Sequence, residues 1–286
     1  MDRSSKWLDV FIYTILFLFS LCTVLPFIYI TIVSFTDPHE FLTTPVMLFP
    51  KSWSLASYRY ILSSGQFINS FFITTMLTII GTICAVLVTA GLAYGLSRKR
   101  LKGRNFILTA VLFTMLFNPG IMPNYMLIRS LGLLNSFWAL LLPGLATAFY
   151  VLLMKSFFQD VPAELEESGT IDGCSDIGIF FRIILPISLP VIAAFSLFYG
   201  VAYWNTYFNG VLYINKDTLR PLQVVLQQML AASSTPADVS EASASVIPAD
   251  TVKMAAVVIT AVPIVMVYPF LQKYFVKGLT LGSVKG

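Results

Sequence analysis

Long uncharged stretches dominate the chain, and short charged segments separate them. Six stretches without Asp, Glu, Lys or Arg can each hold a helix of about 20 apolar residues, which crosses a bilayer core. The first is longer than a typical signal-peptide core and lacks a small-residue cleavage site, which favours a retained helix. The pattern predicts one transmembrane domain over residues 1–286, with spans at about 11–33, 69–96, 106–127, 137–154, 185–212 and 254–273.

The low charge content excludes a soluble globule. The 286 residues include only 18 Lys and Arg and 14 Asp and Glu, and 57% are hydrophobic. A soluble domain carries about 25% charged residues, mostly at its surface. We therefore expect an all-α integral membrane protein that lies in lipid.

The distribution of basic residues predicts the orientation of the chain. Six spans place both termini on one side; if that side is cytoplasmic, twelve Lys and Arg lie inside and six outside. Five of the inner ones fall between Arg98 and Arg104. The positive-inside rule then predicts a multi-pass protein of the cell membrane with both termini in the cytoplasm. The long outer loop is about 213–251 and the sizeable inner loop about 155–184.

Several chemical signatures are absent from the sequence. The first five predicted spans carry no charged residue, which argues against an ion-coupled carrier or channel. No P-loop or H-E-x-x-H pattern occurs, so ATP hydrolysis would take place on a partner protein.

His39 is the single histidine, the three cysteines form no disulfide framework, and no metal site is expected. The net charge of +4 is too small to imply nucleic acid. An ion-coupled protein and a membrane-embedded enzyme or scaffold stay as alternatives.

The inner loop predicts a helix-turn-helix at the membrane surface. Pro162 fits the first position of a helix, where its missing N–H costs nothing. The helix dipole favours the acidic residues of its first two turns, which are Glu164, Glu166 and Glu167. Asp172 and Gly173 form a turn signal, and Ser175 can cap a second short helix.

The spacing within this loop resembles a family motif. Glu167-Ser-Gly, three residues, Gly173, nine residues and Ile183-x-Leu185-Pro186 resembles the EAA loop of binding-protein-dependent ABC importers, E-A-A-x3-G-x9-I-x-L-P. Ser168 and Gly169 replace the two alanines of that pattern. Three further segments resemble the sugar-importing branch, at Asn118–Pro123, Leu131–Ser136 and Phe157–Pro162. The end, Val276–Gly286, is similar to the tail of the second permease subunit of maltose-type importers. The narrower resemblance is to YtcP/LplC-like permeases, linked to oligo- and polysaccharides that include pectin-derived ones.

The resemblance implies a type I ABC importer permease that moves a carbohydrate by alternating access, with a polyol or glycerol phosphate compound as the alternative substrate. The implied partners are a second homologous permease, two ATPase subunits that bind ATP and Mg, and an extracytoplasmic sugar-binding protein. This chain itself binds no cofactor on that view. The implied ATPase-coupling residues are Glu164, Glu167, Ser168, Gly169, Asp172, Gly173, Leu185 and Pro186. The implied ATPase-contacting tail comprises Leu281, Gly282, Ser283, Val284, Lys285 and Gly286.

Aromatic and amide residues cluster near the end of the fifth predicted span. Sugars offer C–H faces to aromatic rings and hydroxyls to amides, so this cluster suits a substrate pathway. It equally suits an aromatic belt at the outer membrane interface. The cluster comprises Tyr199, Tyr203, Trp204, Asn205, Tyr207 and Asn209.

Overall fold

The computed structural model describes residues 3–43, 49–231 and 249–283, and most of them are helical. In these ranges no strand forms, apart from an isolated bridge between Thr36 and Trp53. The first helices are α1 (Arg3–Ser34), α2 (Pro38–Thr43), α3 (Ala56–Ser63), α4 (Gly65–Ser97), α5 (Arg104–Leu116), α6 (Ile121–Ser130), α7 (Phe137–Leu141) and α8 (Ala148–Gln159). The remaining helices are α9 (Glu164–Ile171), α10 (Asp176–Ile179), α11 (Leu185–Ile187), α12 (Leu189–Trp204), α13 (Phe208–Tyr213), α14 (Leu222–Ala231) and α15 (Ala249–Ser283).

Three single helical segments are long and apolar enough to cross a membrane, judged by length and composition within the described residues. They lie in α1, α4 and α15, at Lys6–Ser34, Gly65–Ser97 and Asp250–Val267. Three bent pairs also qualify when each is taken as one span, and they raise the total to six. The bends measure 120° between α5 and α6, 49° between α7 and α8, and 85° between the α10–α11 segment and α12.

Proline and glycine lie at the bends. Gly120 has a φ of +87° between α5 and α6, and its N–H donates to Asn118 Oδ1 at 2.9 Å. Pro186 follows a π-helical segment, Phe180–Ile184, and has no N–H with which to continue a helical hydrogen-bond ladder. Pro190 lies in the first turn of α12. Within the predicted fifth span, 185–212, the helix bends after α11, and α12 ends at Trp204.

One compact unit comprises Met1–Ile68 and Leu226–Pro263. Within it, Ser34 Oγ and Tyr58 Oη lie 2.7 Å apart, and Ser57 Oγ donates to Thr251 Oγ1 at 3.0 Å. Glu40 accepts hydrogen bonds from Ser52 Oγ at 2.6 Å and from the backbone N–H of Lys51 at 2.7 Å. These bonds, led by the one from the Ser52 hydroxyl, hold the pKa of Glu40 below its usual value.

A second compact unit comprises Asn69–Val225 and Ile264–Gly286. One buried cluster joins α4, α8, α10 and α12, and its large members are Tyr94, Met154, Phe158, Ile179, Phe180, Ile184 and Phe195. Another buried cluster joins α4, α7 and α12 through Leu77, Leu140, Leu141, Tyr199 and Tyr203. The first cluster supports the inner loop, because α10 and the π-helical segment contribute directly to it.

Candidate functional site

The acidic helix α9 has well-defined ends. It begins at Glu164, two residues later than the sequence predicts, and the carbonyl of Ala163 accepts from the N–H groups of Glu166 and Glu167, both at 3.0 Å. At its other end Gly173 adopts a φ of +79°, which glycine tolerates without a Cβ clash. Cys174 N donates to Gly169 O at 2.9 Å, and Gly173 N to Thr170 O at 3.0 Å. This pair of bonds is a Schellman motif, which ends the helix sharply.

Ser175 begins the second helix in the capping role predicted from the sequence. Its side chain accepts from the N–H of Gly178 at 3.2 Å. From there α10, the π-helical segment and α11 follow one another without a loop up to Ser188, and α12 begins at Leu189. The end of α9 is thus separated from a long apolar helix only by a capped turn and a bent helical segment.

One face of α9 is exposed. Its side chains recur at the i, i+3, i+4 and i+7 spacing that defines a single helix face. Ile171 at the end of this face is 85% exposed, although it is a large apolar residue. The members of this face are Glu164, Glu167, Ser168 and Ile171. The face therefore offers two carboxylates, a small hydroxyl and an apolar group.

The opposite face of α9 contacts the chain itself. Glu166 forms an ion pair with Arg98, with Glu166 Oε1 and Arg98 Nη2 2.5 Å apart. Gly169 is buried, and a Cβ at this position would lie 2.8 Å from Ile183 Cδ1 and 3.2 Å from Ile179 Cγ1. The missing side chain of Gly169 thus serves close packing of α9 on α10 and the π-helical segment.

The remaining residues of the predicted coupling set lie apart from the exposed face. Asp172 and Gly173 form the exposed turn after α9, and Leu185 is half-buried against the first cluster. Pro186 is exposed at the start of α11. The structure therefore brings only part of the set together on one surface.

The predicted tail lies at the end of α15. Leu281, Gly282 and Ser283 belong to the last turn of this helix, and their side chains are not described. Val284, Lys285 and Gly286 lie outside the described residues. The predicted ATPase contact of this tail stays a prediction.

Three of the six predicted pathway residues are buried in helix packing. Tyr199 is 2% exposed, Tyr203 4% and Trp204 5%. The hydroxyl of Tyr199 lies 2.6 Å from Thr89 Oγ1, and the hydroxyl of Tyr203 donates to Leu141 O at 2.9 Å. In this conformation these three side chains pack between helices of the chain, and their role in a substrate pathway stays a prediction.

The other three pathway residues follow the end of α12. Asn205 and Tyr207 are exposed, and Asn209 is half-buried at the start of α13. Asn205 Nδ2 donates to Val201 O at 2.9 Å, and Asn205 Oδ1 accepts from Gln223 Nε2 at 3.4 Å. Their amides and phenol are the accessible polar groups of the predicted cluster.

The sequence analysis did not predict which basic residues pair with the acidic residues of the inner loop. Arg98 pairs with Glu166, and Arg100 pairs with Asp176. The sequence signals were a basic run that follows one span and an acidic run in the next inner loop. A basic run and an acidic run do not by themselves predict individual ion pairs, because nothing in their spacing determines which side chains meet.

Comparison with known proteins identifies the kind of molecule. Residues 103–281 match the family described as "Binding-protein-dependent transport system inner membrane component". The chain is 46% identical to the polygalacturonan/rhamnogalacturonan transport system permease protein YtcP of Bacillus subtilis, over 99% of both proteins. It is 44% identical to the protein LplC of the same organism, over 92% of this chain and 90% of LplC. A solved bacterial ABC transporter "involved in the import of the acidic polysaccharide alginate" has a chain 29% identical to this one, with a TM-score of 0.89, covering 96% of this chain and 99% of that one.

These findings confirm the resemblance drawn from the segment Glu167 to Pro186. They also remove the ion-coupled carrier and the membrane-embedded enzyme as alternatives, because the relatives are permease subunits and ATP hydrolysis lies on partner subunits. The chain belongs to the family of binding-protein-dependent transport system inner membrane components, as a permease subunit of an ABC importer.

Proposed function

We propose that this permease carries an acidic oligosaccharide, such as a pectin-type fragment of the plant cell wall, across the cell membrane. Two similarities support this substrate class. One relative is named for the transport of polygalacturonan and rhamnogalacturonan, and the solved transporter is involved in the import of the acidic polysaccharide alginate. Polygalacturonan and alginate are both built from uronic acids, so an anionic sugar is the shared chemistry.

The exposed face of α9 is the proposed docking surface for an ATPase subunit, and its orientation is the observation that carries the mechanism. Glu167 and Glu164 would pair with basic groups of the ATPase, while Ile171 would enter an apolar depression. Ser168 keeps the centre of this face small, so that α9 approaches closely. The ion pair and packing on the opposite face of α9 hold this orientation before docking.

The other coupling residues are proposed to shape the docking surface. Gly169 sets the distance between α9 and Ile183, and Gly173 permits the sharp end of α9. Asp172 lies at the rim of the surface, whereas Leu185 and Pro186 lie where the inner loop joins the bent route to α12. A push on α9 would travel through these positions toward the span. The tail 281–286 is proposed to make a second ATPase contact.

Both termini and α9 are proposed to lie in the cytoplasm. The ion pairs Arg98–Glu166 and Arg100–Asp176 join the strongly basic segment 98–104 to the inner loop, which supports a location of both on the same side of the membrane.

ATP and Mg would bind between two ATPase subunits on this cytoplasmic side. An extracytoplasmic binding protein would deliver the sugar to the opposite side, where Asn205, Tyr207 and Asn209 are the candidate contacts.

A second permease subunit is the proposed lateral partner. The apolar segment Lys6–Ser34 of α1 buries none of its most hydrophobic window within the chain. Trp7, Phe11, Tyr13 and Phe19 are all at least 63% exposed. Lipid and a homologous permease could share this surface. Alternating access would then come from relative movement of the two permeases, driven by closure of the ATPases.

Reconstitution of the complete importer tests this proposal. The chain, its partner permease, the ATPases and the binding protein are placed in liposomes with oligogalacturonides, neutral oligosaccharides, polyols and glycerol phosphate compounds. We expect ATP-dependent uptake and stimulated ATPase activity with oligogalacturonides. Stimulation by a polyol or a glycerol phosphate compound alone would overturn the substrate class and leave the importer mechanism in place.

A further inference from the structure

The ion pair Arg98–Glu166 joins two elements that are far apart in sequence. Arg98 directly follows α4, and Glu166 lies on the inward face of α9. Their side chains are only 15% and 13% exposed. A pair with so little solvent around it is weakly screened, so loss of either partner leaves a costly uncompensated charge.

Tyr94 holds the arginine of this pair in place. The guanidinium carbon of Arg98 lies 5.0 Å from the centre of the Tyr94 ring, within the range of a cation–π contact. Tyr94 itself is 8% exposed and contacts Phe180 and Phe158, with ring centres 5.2 Å and 6.3 Å away. Arg98 therefore lies between a ring fixed in the buried cluster and the carboxylate of Glu166.

Two neighbouring acidic residues of α9 thus have different surroundings. Glu167 is exposed on the proposed docking face, while Glu166 is turned toward α4. Gly169 on the same inward side contacts Ile179 and Ile183, which lead to α12. The inward side of α9 is consequently fixed at two places, one toward α4 and one toward α12.

We propose that Arg98 and Glu166 are positioning residues that pass displacement of α9 directly to α4. This inference rests on the proposed docking of α9 to an ATPase. The packing of Gly169 is the second route, toward α12. With both routes intact, one movement of α9 shifts two membrane-crossing helices together, as rigid elements linked by a discrete contact can do.

A second ion pair in the same region provides the matched control. Arg100 and Asp176 pair in the same way, but their side chains are 57% and 69% exposed. Exposed pairs of this kind contribute little, because water and salt screen them. A general effect of charge in this region would appear in both pairs, whereas a positioning effect would appear only in Arg98–Glu166.

The test uses the complete importer carrying Arg98→Gln, Glu166→Gln, the conservative Arg98→Lys, or the control Arg100→Gln. Three quantities are measured: co-purified ATPase, substrate-stimulated ATPase activity, and substrate moved per ATP. For Arg98→Gln and Glu166→Gln we expect normal co-purification of the ATPase. We also expect a loss of at least about fivefold in substrate moved per ATP, which is the lower end of typical coupling between sites. Arg98→Lys should recover most of the loss, and Arg100→Gln should match the wild type.

Each other outcome contradicts the positioning role. If Arg98→Gln and Glu166→Gln match Arg100→Gln, the pair transmits nothing. If Arg98→Gln and Glu166→Gln no longer co-purify with the ATPase or fail to assemble, the pair has a structural role instead. Failure of the docking proposal itself gives a different result, because the ATPase would then co-purify and respond normally when Glu167 on the outer face is changed to Lys.

Discussion

Gly169 and Ile183 are in such close contact that a single added carbon would fit only if the Ile183 side chain shifted. A Cβ on Gly169 would lie 2.8 Å from Ile183 Cδ1, well inside ordinary van der Waals distance. Because the clashing atom is the end of a flexible side chain, the strain can be removed from either side of the contact. This makes the packing of α9 accessible to a mutant cycle.

We expect Gly169→Ala to lower the free energy of unfolding by about 1 kcal/mol through overpacking. Ile183→Val removes the clashing Cδ1 atom, so the double variant should recover most of the loss. Thermal unfolding of the purified chain measures all three variants, and the interaction energy follows from the cycle. Independent, additive effects would show that α9 does not pack on Ile183 as the structure has it.

Tyr203 makes the same kind of contact within the second cluster. A Cβ on Gly81 would lie 2.8 Å from the Tyr203 ring, which is 4% exposed and therefore closely surrounded. We expect Gly81→Ala to destabilise the chain by about 1–3 kcal/mol. Gly91→Ala on the same helix meets nothing within 4 Å and should be neutral or stabilising by about 0.5–1 kcal/mol. Equal unfolding temperatures for the two variants would contradict this packing.

The buried and exposed members of the aromatic cluster should respond differently to mutation. Tyr203→Phe loses the hydrogen bond to Leu141 O, so we expect about 0.5–1.5 kcal/mol less stability and an unchanged KM for transport. Tyr207→Ala removes an exposed ring and should raise KM with little effect on stability. Uptake kinetics and thermal unfolding of both variants separate the two roles. A raised KM in Tyr203→Phe alone would reverse this assignment.

Local features of the inner loop could be predicted from the sequence, whereas long-range contacts could not. The cap at Ser175 and the turn at Gly173 depend on atoms a few residues away, so composition and spacing suffice. The burial of Tyr199 depends on Thr89 in another helix, and no pattern along α12 encodes that contact. For the same reason the sequence predicted no partner for Glu166, and its ion pair with Arg98 on another element appears only in the structure.

Glu40 gives a local dependence on pH. Hydrogen bonds from Ser52 and Lys51 lower the pKa of Glu40, so the folded state favours the ionised carboxylate. The ionised Glu40 carboxylate therefore stabilises the fold at pH values above the ordinary glutamate pKa. This stabilisation is lost as the pH falls through the lowered pKa that Glu40 has in the folded state. We expect backbone hydrogen exchange at Lys51 and Ser52, corrected for intrinsic rates, to accelerate on acidification. Glu40→Gln should remove the pH dependence, and a variant that keeps it would assign the effect to another group.

Glu167 is the residue of the exposed face on which the proposed docking depends most. Reversal of its charge in Glu167→Lys places a cation against the basic groups proposed on the ATPase, so repulsion replaces attraction. We expect substrate-stimulated ATPase activity to be abolished and ATPase co-purification to fall, with the unfolding temperature unchanged because Glu167 is exposed. Asp217→Lys is the matched control, since this carboxylate is 70% exposed and lies outside the inner loop. Wild-type coupling in Glu167→Lys would show that the ATPase engages another surface of the chain.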